Sequence, residues 1–241
     1  MTRRRKIDPL TYEAYLKGRF YLNKRTEEEL NKAHEYFQQA IEKDPNYAQA
    51  YAGLADYYTL VPAYGSITPA EAIPKAKKMA LKALEIDESS AEAHTSLALI
   101  LGIHEYDLPA AFREFSRALD LNPNYALAHM WYGGYLVCLG RSSEALEEIT
   151  RAQELDPLSS LVHVAAGFYL FNARQYDLSI EQTRKSLEIE QNYPIAHWAL
   201  GLAYQQKQMT ENAIIEIQKA VEQSGSSSRM LAALGSVYAS A

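Results

Sequence analysis

A single cysteine, Cys138, stands in 241 residues, which excludes an internal disulfide and any cysteine-based metal cluster and agrees with a reducing compartment. Glycine and proline are few, 11 and 9, too sparse for a β-rich chain but enough for turns that recur at long intervals. No apolar run nears the roughly 18 residues that span a bilayer, and none follows the basic start Arg3-Arg4-Arg5-Lys6 as a secretory leader requires. No membrane partner is expected, and the cytoplasm is the expected location. Positive charge is short as well: a net charge of −6 is the wrong sign for a chain whose main partner is nucleic acid. The four basic residues read as a solvated tail.

Catalytic patterns are missing too. There is no glycine-rich phosphate loop, no Walker lysine and no G-x-S-x-G elbow. His34-Glu35 and His104-Glu105 begin a zinc-protease H-E-x-x-H, but Gln38 and Leu108 stand where the second histidine is needed. The expectation is a non-enzyme with no cofactor and no metal.

What the chain does have is a period. Asp120-Leu121-Asn122-Pro123 returns as Glu154-Leu155-Asp156-Pro157, 34 residues later, and between them lie two amphipathic stretches joined at Gly140-Arg141. The same pair of stretches recurs along the chain. Small residues mark each copy at Ala55, Ala98, Gly133, Gly167, Gly201 and Gly235 in the first stretch, and at Ala33, Ala76, Ala111, Ala145 and Ala213 in the second. Such residues let paired helices approach closely. Thr26 with Glu29, and Thr68 with Pro69 and Glu71, are helix-start signals.

This pattern resembles the tetratricopeptide repeat over nearly the whole chain, from about Leu10 to Tyr238. The resemblance implies an all-α, right-handed α-solenoid, a superhelix of stacked helix-turn-helix units. Residues 1–9 read as a disordered lead-in or linker, and 10–241 as about six repeats plus a final single helix. The second unit carries nine extra residues, read as an insertion at 61–73. The third is one residue longer than the period. In the fifth, Ser179, Thr183 and Ser186 replace small apolar residues, so a looser seam is expected there. A weaker resemblance is to repeat arrays within large bacterial signalling chains that carry a kinase, a nucleotide cyclase or a winged-helix regulator.

The resemblance implies a scaffold that binds another protein or a peptide segment in its concave groove, lined by first helices. That face reads as Met130, Val137, Cys138, Val164, Phe168, Phe171, Trp198, Leu202 and Gln205, an apolar surface suited to an apolar or amphipathic segment. Upstream it turns polar at Asp56 and Glu92. The alternative is a regulatory segment of a larger signalling protein, docking on a neighbouring module through Leu10 to Arg25 and 61–73. A homodimer through the C-terminal helix, with Leu231, Leu234 and Val237 in water, is the oligomer the sequence suggests. His94, His129, His163 and His197 recur at the repeat period on successive first helices, too far apart to share one ion, and read as packing.

Overall fold

Close approach of helices at small residues organises the fold. The computed structural model describes residues 7–65, 67–225 and 227–239. These form thirteen α-helices and one π-helical turn, with no strand among the described residues. The chain divides into two units, Met1–Pro123 and Asn124–Ala241. The first holds α1 (Pro9–Lys24), α2 (Glu27–Lys43), α3 (Ala48–Tyr64), α4 (Pro69–Ile86), α5 (Ala91–Leu99) with the π-helical turn Ile100–His104, and α6 (Leu108–Leu121). The second holds α7 (Ala126–Cys138), α8 (Ser142–Leu155), α9 (Ser160–Asn172), α10 (Tyr176–Ile189), α11 (Pro194–Gln206), α12 (Thr210–Gln223) and α13 (Ser228–Ala239). Within each unit, successive helices pair as hairpins and each hairpin stacks on the next. This is the all-α solenoid the period implies.

Ala33, Ala76, Ala111, Ala145 and Ala213 are fully buried where the hairpin helices meet. Opposite them a methyl group has no room: a Cβ on Gly201 would lie 2.3 Å from Ile217 Cγ1, and one on Gly133 would lie 3.2 Å from the Ala145 carbonyl. The turns repeat as faithfully. Tyr106, Gly140, Arg174 and Gln208, each 34 residues after the last, all hold positive φ, between 56° and 73°. That left-handed residue ends the first helix and lets the following amide reach back to a carbonyl of the last turn, as Arg141 N–H does to Leu136 O at 2.9 Å.

Three expectations are corrected, and the insertion takes a definite form. The nine extra residues of the second repeat, read at 61–73, mostly lengthen its two helices: α3 and α4 have 17 and 18 residues, where α7 and α8 have 13 and 14. Pro62 sits inside α3 and Pro74 inside α4, each helix losing one backbone hydrogen bond without ending. The fifth repeat is not loosened. Ser179, Thr183 and Ser186 are buried, but Ser179 donates to Gly167 O, Thr183 to Ser179 O and Ser186 to Ser160 O, each at 2.8 Å. Hydrogen bonds replace apolar contact there.

Of the lead-in 1–9, residues 1–6 lie outside the described residues, whereas Asp8 caps α1, accepting from Thr11 N–H at 3.0 Å, and Pro9 opens it. At the other end, Val237 is buried and Leu234 half-buried, so of the three apolar residues expected in water only Leu231 is exposed.

The extra residue of the third repeat has a location. Asp107 N–H reaches six residues back to Leu101 O at 2.9 Å, where the other turns reach five, and Glu105 N–H bonds Ile100 O at 3.1 Å. The π-helical turn absorbs the insertion.

Candidate functional site

The first helices of the second unit, α7, α9, α11 and α13, present equivalent residues every 34 positions. Met130, Val164 and Trp198 form one column, Phe168 and Leu202 a second, and Val137, Phe171 and Gln205 a third. The structure divides these residues. Met130 and Val164 are 1% and 2% exposed, so they belong to the interior and not to an open surface. Beside them Tyr169 crosses from α9 to α7 and donates its hydroxyl to the Met130 carbonyl. Its ring fits because Gly134 lacks a side chain; a Cβ there would lie 2.8 Å from the Tyr169 hydroxyl. Burial pushes the pKa of that phenol up.

The remaining residues reach the surface. Val137, Phe168, Phe171, Trp198, Leu202 and Gln205 are half-buried and Cys138 is exposed. Phe168 and Trp198 pack with ring centroids 5.3 Å apart at 56°, a tilted pair bridging α9 and α11. The guanidinium of Arg229 from α13 stands 5.5 Å from the Trp198 centroid. The Trp198 indole N–H has no hydrogen-bond partner. Phe171 packs edge-on to Tyr176, with centroids 5.5 Å apart, and Gln205 donates to Ser236 Oγ at 3.4 Å. The face is an aromatic centre with a polar margin.

The first-helix face of the other unit is closed by its own charges. Asp56 takes Arg19 at 2.6 Å and the Ser96 hydroxyl at 2.6 Å, so α1, α3 and α5 are tied by a partly buried polar network. Glu92 accepts from Ser90 Oγ at 3.1 Å.

The four periodic histidines make a different use of their rings. Nδ1 of His94, His129 and His197 lies 2.6 Å from Glu114, Glu148 and Glu216, each on the paired helix. His163 meets Gln182 and Gln153 instead, at 3.2 and 3.1 Å. They fasten the hairpins, a polar role beyond packing. Among the described residues no group of three or more His, Cys, Asp or Glu is placed to hold a metal ion.

Two features escaped sequence reasoning. The Arg229 contact joins residues 31 apart across a serine-rich linker, and no pattern signals it. A hollow of about 700 Å³ lies against α4, lined by Tyr51, Pro74, Met79 and Leu81 together with Lys77, Lys78, Lys82 and Glu85. No helix among the described residues is long and apolar enough to cross a membrane.

Comparison with known proteins agrees with this architecture. A tetratricopeptide repeat family model matches residues 107–160. The transcriptional regulator HilA of Salmonella typhimurium is 34% identical over 134 residues, 55% of this chain and 24% of HilA. The chain thus spans about a quarter of the length of the curated relatives it matches. Among solved structures, pilF of Pseudomonas aeruginosa superposes with a TM-score of 0.60 at 25% identity, covering 82% of this chain and 86% of pilF. A thermophilic TPR protein of Thermus thermophilus gives 0.64 at 18% identity over 70% of this chain and 92% of its own, a likeness of fold.

Proposed function

Since the chain is a tetratricopeptide repeat protein, a helical scaffold of the kind that serves protein interaction and is generally not catalytic, we propose that its second unit binds an apolar or amphipathic segment of a partner on the face of α7, α9 and α11. The observation that carries this reading is the half-buried pair Phe168 and Trp198. Aromatic side chains packed on one edge and open on the other lose little conformational freedom on binding, which is why such residues dominate interface energetics. Leu202, Phe171 and Val137 extend the apolar surface on either side, while Gln205 and Arg229 supply the polar margin that would orient a partner backbone. Cys138 sits at the end of α7 as a small contact residue.

Selection of peptides on the intact chain tests this. The reading expects sequences with apolar residues at three- and four-residue steps, whose affinity falls about tenfold or more in a Phe168→Glu, Phe171→Glu double variant of unchanged helicity. Peptides that bind both proteins equally would reject it.

A second reading rests on the relative. HilA is a transcriptional regulator of which this chain matches about a quarter, so the array would be the regulatory segment of a larger bacterial signalling protein and would dock on a neighbouring module. The residues for that contact are those of α1 and the long ends of α3 and α4. Phe168→Glu and Phe171→Glu would leave such docking intact.

A further inference from the structure

The helix α1 carries an interior-type residue in the open. From α3 onward, the equivalent first-helix position holds Tyr57, Ile100, Tyr135, Tyr169, Ala203 and Val237, and none is more than 9% exposed. Tyr57 donates to Asn31 on α2 at 3.4 Å, Ile100 packs on Ala55 and Ala76, and Tyr169 reaches α7. The register of α1 follows from Gly18, which meets Phe37 of α2 as Gly201 meets Ile217 of α12. Two residues after Gly201 comes Ala203; two after Gly18 comes Phe20. Phe20 is 57% exposed, and one and two turns before it Leu16 and Tyr12 are 46% and 49% exposed. These three make one stripe at four-residue steps.

We propose that this stripe is the contact of a two-fold homodimer, in which α1 packs antiparallel on α1 of a second copy. The stripe is self-complementary, because an axis passing at Leu16 sets Tyr12 of each copy against Phe20 of the other. Its edge is self-complementary too. Glu13 and Lys17, paired at 2.7 Å within one copy, lie side by side along that edge, and an antiparallel two-fold brings Glu13 of one copy beside Lys17 of the next. Arg19 is turned away to Asp56, and Lys24, one turn beyond Phe20, stands with its ammonium 4.8 Å from the Phe20 centroid at the end of the stripe. The opposite end of the chain is less suited: α13 exposes only Leu231 and Tyr238 among its large apolar residues, separated by Ala232, Gly235 and Ser236. One helix pair buries less than the roughly 1,600 Å² of a standard interface, so the dimer is weak and depends on concentration.

Sedimentation equilibrium on the full chain over a wide concentration range tests this. The parent should move from one chain mass to two as concentration rises, while Leu16→Glu and Phe20→Glu stay at one with unchanged helical circular dichroism. A second measurement does not depend on those variants folding. In a Cys138→Ser background, Leu16→Cys should form an intermolecular disulfide under mild oxidation, and Leu81→Cys, equally exposed on α4, should not. A parent that remains monomeric throughout overturns the proposal and leaves the face to a helix of another protein or module. A dimer that survives Leu16→Glu with no Leu16→Cys cross-link overturns it as well.

Discussion

The Nδ1 atom of His197 on α11 lies 2.6 Å from the carboxylate of Glu216 on α12, while its Nε2 faces the Gln191 carbonyl at 3.0 Å. Both ring nitrogens meet acceptors, so one imidazole ties α11 to α12 and to the turn that precedes α11. His94 repeats the arrangement with Glu114 and the Glu88 carbonyl. His163 instead meets amides, Gln153 and Gln182, which bond each other at 2.8 Å, while its Nε2 faces the Pro157 carbonyl at 3.0 Å.

The first prediction concerns acid. Burial pushes the Glu216 carboxyl up, but hydrogen bonds from His197 and Lys219 outweigh it and hold the group below its ordinary value of 4.5. A carboxyl depressed in the folded state contributes stability that is complete above its unfolded value and is lost as pH falls through the folded one. Glu216→Gln should therefore cost about 1–2 kcal/mol near neutral pH, and the difference from the parent should shrink below about pH 4.5. Urea midpoints read across that range check it; a constant difference would show that the ion pair contributes nothing.

The turns make a second prediction. Arg174 and Gln208 hold φ of 59° and 58°, where a side chain costs energy that glycine avoids. Arg174→Gly and Gln208→Gly should each raise stability by up to about 1 kcal/mol, and Gly140→Ala should lower it by a similar amount although its Cβ would meet nothing within 4 Å. Denaturant melts of the three variants decide this.

A third pair separates close approach from helix propensity. Gly201→Ala places a methyl group 2.3 Å from Ile217 and should destabilise by about 1–3 kcal/mol. Gly235→Ala meets nothing and should stabilise α13 by about 0.5–1 kcal/mol. Equal effects in thermal melts would contradict the packing account.

The π-helical turn supplies a fourth. Deleting Gly102 restores the 34-residue spacing of the other repeats and should turn Ile100–His104 into ordinary α-helix with little loss of stability. Deleting Gly167, which has no extra residue to give up, should unfold its hairpin. Circular dichroism and hydrogen exchange distinguish the two.

Much of the fold was legible because each repeat writes it again. The tetrads at Pro123 and Pro157, the buried alanines and the small residues of the first helices all lie where the period places them. Pro62 and Pro74 lie inside α3 and α4, where a helix held by packing on both sides tolerates one lost hydrogen bond. The candidate face was legible by column but not by depth. Val164 and Trp198 occupy equivalent places in the period, yet one is 2% exposed and the other half-buried, because depth depends on the reach of neighbouring side chains, which no periodicity encodes. Likewise the serines of α10 read as a weak seam because their acceptors, the carbonyls of α9, leave no trace in the side-chain pattern.

The central claim is that a partner segment lies on Phe168 and Trp198, and Trp198 reports on it directly. The chain has only two tryptophans, so a Trp131→Phe variant leaves Trp198 as the sole indole. Its emission should be titrated with a selected amphipathic peptide whose binding is followed independently by anisotropy. The account predicts a saturable change in Trp198 emission with the same midpoint as the anisotropy, absent in the Phe168→Glu variant. Binding seen by anisotropy with unchanged Trp198 emission would contradict it.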